Sequence, residues 1–298
     1  MARIAVLGSA NLDLVVRLPR PPHNGETIFG TGFSTVPGGK GLNQAIAAAH
    51  AGAEVSFLGA VGKDRFGAML RDALVVHGID VTRLIEVAEP TGIADVHVMD
   101  GGENAIVVVP GANHAAIPLT EEDRAVIASS DALLTQFERP IPLIFEALQF
   151  ARAAGVRTVL TPGPVVQVGH ELLSLVDLMV PNAGEARILS GLTDDVDAAR
   201  AISRHAGTVV MTRGAQGQLV ARGGEVVEEH VAYRTQAVDT TAAGDTFVGV
   251  LAARSAIGDG FPSALRAATV AAGISVSRHG ASTSMPHWDE IESALGSW

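Results

Sequence analysis

The stretch "DALLTQFERPIPLIFEALQFARAAGVRTVLTP", residues 131–162, decides the fold. Its ends, 131–138 and 156–162, are short apolar runs, and 141–154 between them carries a helical pattern. Runs of that length read as strands buried on both faces. Two such strands joined by a helix form a βαβ unit, whose strands lie parallel. The same rhythm extends both ways along the chain. "RIAVLG" (3–8), "EVSFLGAVG" (54–62), "VDLMVPN" (176–182) and "TVVMTRG" (208–214) read as strands. Helical patterns occupy 39–50, 65–77, 120–128, 184–190 and 195–206, and 244–296 is mostly helical. Thr120, followed by three acids, is a good helix start. The expectation is an α/β fold, a three-layer sandwich with a mainly parallel central sheet.

Two regions break the rhythm, 12–36 and 91–109, where strand-like runs have no helix between them. In "TGIADVHVMDGGENAIVVV" (91–109) two extended runs flank Asp100-Gly101-Gly102, a hairpin by pattern. Ala94, Val96 and Val98 alternate with Asp95, His97 and Met99, giving one apolar and one polar face. A small β lid is therefore expected beside the main sheet. With no repeat or low-complexity linker, residues 1–298 read as one domain.

Composition narrows the function. The chain is 47% hydrophobic over 298 residues, so a large core is expected. A net charge of −11 argues against nucleic acid or an anionic membrane as partner, though not against a small anionic ligand. There is no cysteine, hence no disulfide framework and no thiolate metal site. The start "MARIAVLGSANLD" is too short in its apolar run for a signal peptide, and no run is long enough for a membrane helix. A cytoplasmic protein is the expectation. Lys40 has Ser34 six residues before it and Gly41 after it, so a Walker loop is excluded. Ala10 stands where a dinucleotide fingerprint needs glycine. The ten histidines show no metal-ligand spacing.

"VDTTAAGDTFVGVLAA" (238–253) places a carboxylate and a bare Ala242-Ala243-Gly244 turn at the start of an apolar helix. It reads either as an ordinary helix start or as a nest of unpaired amides that binds a phosphoryl group. In the second case Asp245 would accept a proton from a hydroxyl attacking that group. "VPGGKGLNQAIAAAHAG" (36–52) offers Lys40 and Asn43 to sugar hydroxyls, or is only a glycine turn and an alanine helix. Asn11 and Asp13 in "GSANLD", and Glu138 in "QFERP", follow strand ends, where ligands bind in open α/β sheets. Asn182 and Glu185 in "PNAGEA" fit a site or a capping arrangement. Thr212, Gly214 and Gly217 in "MTRGAQG" fit a phosphate-contacting turn or a hairpin.

Together these segments resemble the ribokinase-like (PfkB) family of carbohydrate kinases over nearly the whole chain. The elements "GGKGLNQA" and "DTTAAGDTF" are specific to it. The resemblance implies a sugar held under the lid by Asn11, Asp13, Gly39, Lys40, Asn43 and Glu138, with Ala94 and Val108 as apolar lid contacts. It implies Asp245 as catalytic base and Ala242, Ala243 and Gly244 as anion hole. Asn182 and Glu185 would organise Mg²⁺ and the phosphates of ATP, with Thr212, Gly214 and Gly217 on the nucleotide. A K⁺ ion would be held by Asp239, Thr241, Ser275, Arg278, Gly280 and Ser284, several through carbonyls. The implied reaction is ATP-dependent phosphorylation of a sugar primary hydroxyl, D-ribose to D-ribose 5-phosphate first. Fructose, deoxyribose, another sugar or a nucleoside are alternative substrates, and an inactive sugar-binding protein is the alternative of another class. Asp95 departs from the apolar residue expected in the lid, where relatives pair, so a homodimer through the lid stays open.

Overall fold

The computed structural model describes residues 1–100, 103–296 and 298. Strand β1 (Arg3–Leu7) leads into β2 (Asn11–Leu18), and β3 (Gly32–Gly38) returns to helix α1 (Lys40–His50). Then come β4 (Glu54–Gly62), α2 (Arg65–Val76), β5 (Leu84–Val87), β6 (Gly92–Met99) and β7 (Asn104–Val109). Helix and strand next alternate through α3 (Glu121–Ala128), β8 (Ala132–Gln136), α4 (Ile141–Ala153), β9 (Arg157–Thr161), α5 (His170–Leu173) and β10 (Leu178–Met179). α6 (Ala183–Ser190), α7 (Asp195–Ser203), β11 (Thr208–Thr212), β12 (Gln218–Arg222) and β13 (Glu225–His230) precede three helices, α8 (Ala243–Ile257), α9 (Phe261–Ser275) and α10 (Trp288–Leu295).

Nine strands form the main sheet in the order β13-β12-β11-β10-β9-β8-β1-β4-β5. From β11 to β5 every pairing is parallel, and β12 and β13 add an antiparallel edge. Alternate side chains of a strand point to opposite faces. Accordingly Ile4 and Val6 of β1 enter one core while Ala5 and Leu7 enter the other. Helices α1, α2, α8, α9 and α10 close the first core; α3, α4, α6 and α7 close the second. This is the expected three-layer sandwich. β5 and the β12–β13 hairpin add strands beyond those expected, and β10 is shorter than the apolar run 176–182. "MTRGAQG" is the turn of a β11–β12 hairpin.

The lid is a second sheet in the order β3-β2-β6-β7. Its outer pairs are antiparallel, whereas β2 and β6 run parallel. β6 and β7 form the expected hairpin; Gly101 and Gly102 of its turn lie outside the described residues. Asp95 and His97 meet at 3.3 Å on one face of β6, the polar face of the alternation. Of Ala94, Val96 and Val98 on the other face only Ala94 is buried, and β7 is exposed along its whole length.

Helix α1 is buried almost throughout, a consequence of its alanine-rich make-up and of its contact with α8. A Cβ on Gly249 of α8 would lie 2.5 Å from the carbonyl oxygen of Gln44 and 2.6 Å from the Cβ of Ala47. The two helices therefore touch backbone to backbone at this point. Gly249→Val must drive them apart, and urea unfolding should show a loss of about 1–3 kcal/mol, the usual cost of overpacking. An unchanged midpoint would refute that close contact.

Candidate active site

The carboxyl ends of β1, β8, β9 and β11 converge on the N-termini of α1, α6 and α8. Gly39 starts α1 with φ 95°, a left-handed value that favours glycine. A Cβ there would also lie 2.9 Å from the amide nitrogen of Asn11. The start of α1 is thus pressed against the β1–β2 turn, with Lys40, Asn43 and Gln44 turned towards α8.

Asp245, in the first turn of α8, is only 8% exposed. Its Oδ2 accepts from Nδ2 of Asn43 at 3.1 Å, and its Oδ1 from Nε2 of Gln44 at 3.0 Å. Gln44 is itself fixed, since its Oε1 accepts from Gln136 at 2.7 Å. Burial raises the pKa of Asp245, while Lys40 and the two amides oppose that rise. The Asp245 carboxylate in turn is the main cause of a raised pKa at Lys40. Glu138 accepts from the backbone amide of Lys40 at 3.1 Å and from the Ser9 hydroxyl. Burial raises its pKa too. Asp13 is pushed up to about 7, by burial first and then by the charges of Glu138 and Asp245.

Asp13 comes from the lid. Its register partners are Val36 on β3 and Ala94 on β6, and Ala94 faces Val108 on β7. Residues in register share a face, so these four form one row across the lid. Val108 ends that row on the exposed edge strand, 49% exposed. The Asp13 carboxylate lies over Gly38, where a Cβ would come within 2.5 Å of Oδ2. Asn11 is buried, and its Oδ1 accepts from Nδ2 of Asn113 at 2.7 Å. Asn113 also bonds both the amide and the carbonyl of Ala10, at 3.0 and 3.1 Å. With its oxygen taken, Asn11 presents its NH₂ group as a donor.

On the other side of Asp245, α8 begins at Ala242 with φ 57°. It is the only non-glycine residue with positive φ among the described residues, a conformation that costs about 1–2 kcal/mol. No side chain caps this helix, and the amides of Gly244 and Asp245 find no acceptor among the described residues. They face a cavity of about 220 Å³ that also meets Lys40, Asn182, Glu185, Thr212 and Ala243. A second cavity of about 330 Å³ shares Thr212, Thr240, Ala243 and Gly244 with it and continues to Gly214, Tyr233 and Phe247.

Asn182 and Glu185 form a full capping box, Asn182 Oδ1 accepting from Glu185 N at 2.8 Å and Glu185 Oε2 from Asn182 N at 2.9 Å. The capping reading is therefore realised, and the second oxygen, Oε1, is left over. A Cβ on Gly163 would lie 2.5 Å from that oxygen and 2.9 Å from Cε of Lys40, so the two charged groups flank one backbone. Gly217 lies outside the lining of both cavities. A Cβ there would come within 1.9 Å of the His230 carbonyl oxygen, which is a hairpin requirement.

Asp239 joins two distant segments. Its Oδ1 accepts from the amide and hydroxyl of Thr241 at 2.9 and 2.6 Å, and its Oδ2 from the amide of Gly280 at 2.9 Å. Ser275 and Ser284 are buried with their hydroxyls donated to Ala272 and Ala281 carbonyls. The Arg278 guanidinium turns away to Glu290. Four residues that complete this site escaped sequence reasoning: Ser9, Gln44, Asn113 and Gly163.

Residues 1–288 match the model of the pfkB family of carbohydrate kinases. The chain belongs to that family. The ribokinase of Haemophilus influenzae is 40% identical over 293 residues, 95% of each chain. That of Bacillus subtilis is 35% identical over 297 residues, 99% of this chain and all of the relative. The structure of Arabidopsis thaliana ribokinase complexed with ribose and ATP is similar with a TM-score of 0.93, at 32% identity and 99% coverage of each chain. The pfkB match spans both sheets and every residue of the cluster described above.

Asp13 makes the stability of the sugar-free kinase depend on pH. Its folded pKa of about 7 exceeds the ordinary aspartate value of 3.8, so the folded state binds the proton more tightly. That stabilisation is complete below about pH 4 and is lost as pH rises through about 7. Asp13→Asn should therefore exceed the parent in stability at about pH 8, by on the order of 2 kcal/mol, and match it near pH 4. Urea unfolding at both pH values checks this; a variant weaker at pH 8 contradicts it.

Proposed function

We propose that this protein transfers the γ-phosphoryl group of ATP to the primary hydroxyl of D-ribose, giving D-ribose 5-phosphate and ADP. One observation carries the reading: a buried carboxylate, Asp245, lies between the Asp13 and Glu138 carboxylates on one side and an uncapped turn of backbone amides on the other. Asp13, Glu138 and the Asn11 amide bind sugar hydroxyls, helped by Lys40, Asn43 and the Gly39 backbone. Ala94 and Val108 cover the sugar from the lid. Asp245 takes the proton of the primary hydroxyl as its oxygen attacks the γ-phosphorus. The bond from that phosphorus to the bridging oxygen breaks, and ADP leaves. Burial, by raising the proton affinity of Asp245, makes it the better base. The free amides of Gly244 and Asp245 point at the charge that spreads over the transferring oxygens. Ala242 and Ala243 shape that turn, and the Ala243 amide, expected in the anion hole, is instead donated to the Thr240 carbonyl at 3.3 Å. Thr212 and Gly214 line the nucleotide path, and Gly217 acts only through the hairpin. Ribokinases named among the relatives favour ribose over other sugars. Phe29 and Phe33, 95% and 68% exposed, offer no slot for a nucleoside base.

Two ions fit the donor set. The leftover Glu185 oxygen and the carboxylates around Lys40 suit a divalent cation that arrives with ATP, such as Mg²⁺. Mg²⁺ supplies charge neutralisation on the phosphates. Asp239, Thr241, Ser275, Gly280, Ser284 and the Arg278 carbonyl form an oxygen-only set, suited to K⁺. Asp239 holds the turn that leads into the amide nest. The exposed valines of β7 suit pairing of two copies through the lid. Among the described residues no helix is long and apolar enough to cross a membrane, and a cytoplasmic location accords with ATP as substrate.

An ADP-release assay with ATP, Mg²⁺ and a panel of pentoses, hexoses and nucleosides tests the reading; no turnover with ribose refutes it. Asp245→Asn should retain ATP binding and lose roughly 10²–10⁴-fold in kcat, the span of a general base. Near-normal turnover removes Asp245 from that role. KCl added to a K⁺-free assay at constant ionic strength should raise activity, NaCl far less, and Asp239→Ala should lose the response while still binding sugar. Indifference to K⁺ would leave Asp239 as a structural cap only.

A further inference from the structure

Arg139 follows Glu138 in the chain but turns away from the sugar pocket. It is 2% exposed, the bulkiest of the fully buried side chains. Among the described residues its guanidinium makes one hydrogen bond, Nη1 to the Ala112 carbonyl at 3.3 Å, and its buried Nε has no partner. Asp123 does not serve it. That carboxylate accepts from Nε of Arg83 at 2.7 Å and from the Thr120 amide and hydroxyl at 2.9 and 2.8 Å. Burial lowers the Arg139 pKa to about 10, with the Asp123 charge opposing, so the group stays cationic at neutral pH. A buried cation whose nearest carboxylate is hydrogen-bonded to another arginine, and not to it, is destabilising.

Arg139 borders a cavity of about 120 Å³. Its walls are mostly apolar, including Leu58, Ile117, Leu119 and Leu143; its charged groups are Arg139, Arg83 and the Asp123 carboxylate, which Arg83 pairs at 2.7 Å, so Arg139 is the cation in excess. None of its lining belongs to the pocket around Asp245. We propose that this cavity is a binding site for a small monovalent anion, chloride or a short carboxylate, held on the Arg139 guanidinium. The size admits one such ion and excludes nucleotides and sugar phosphates. The apolar walls disfavour a multiply charged ion, which would need more donors than two arginines, one of them already paired, provide.

The test compares thermal unfolding in sodium chloride or sodium acetate with that in sodium gluconate, whose anion is too large to enter, at equal ionic strength. The expected result is a saturable rise in Tm of about 2–4 °C with the small anions, since ligand bound only to the folded state stabilises it. Arg139→Met should show no such rise. Equal Tm values in the three salts, or a full response in Arg139→Met, overturn the proposal. Should that variant fail to fold, crystals of the unaltered protein in sodium bromide decide alone. An anomalous peak within hydrogen-bond reach of Arg139 supports the site; a cavity holding only water refutes it.

Discussion

A carboxylate buried at the start of a helix must be met by donors, and Asp245 is met from one neighbouring helix. Asn43 and Gln44 of α1 each give an amide to one of its oxygens. That meeting requires α1 and α8 to touch backbone to backbone, which Gly249 permits. It also requires α1 to start hard against the β1–β2 turn, which Gly39 permits. The other groups take their places from these two contacts. Lys40 reaches towards Glu185, and its backbone amide holds Glu138.

The same arrangement holds the site in electrostatic tension. Asp13, Glu138 and Asp245 are all drawn out of water, and burial is the first cause of the raised pKa of each. Lys40 is the shared cation that opposes this rise at Glu138 and Asp245. On the far side Ala242 is held in a left-handed conformation that only its surroundings enforce. Hydroxyl donors on one side and an anion on the other would relieve both stresses. Strain without ligand and fit with ligand are then two aspects of one design.

Much of this was legible in sequence, for physical reasons. Strands buried on both faces must be apolar throughout, so 131–138 and 156–162 announce themselves. β5, with its Leu-Ile-Glu-Val, and β13, with its Glu-Val-Val-Glu-Glu-His, lie at sheet edges and carry no such run. The lid hairpin was readable from a local turn, whereas the parallel pairing of β2 with β6 joins strands some 80 residues apart in the chain. The site divides in the same way. Asp245, Lys40 and Asp13 stand out as polar residues among glycines and alanines. Gln44 and Asn113 act on partners 201 and 102 positions away, and although Gln44 sits within "GGKGLNQA", neither partner can be told from the local sequence. Asn182 and Glu185 had two readings, and one pair of side chains satisfies the capping geometry with an oxygen to spare.

Only Gly8, Ser9 and Ala10 separate β1 in the main sheet from β2 in the lid. The short link is not slack: Gly8 donates to the Leu58 carbonyl, Ser9 accepts from the Leu42 amide, and Asn113 clasps both the amide and the carbonyl of Ala10. Asn11 and Asp13 thus belong to the lid sheet by pairing and to the main sheet by tether. Whatever these two side chains hold is held at a position the core dictates, so a core change near Leu58 or Asn113 would be felt at the lid without any lid residue being altered.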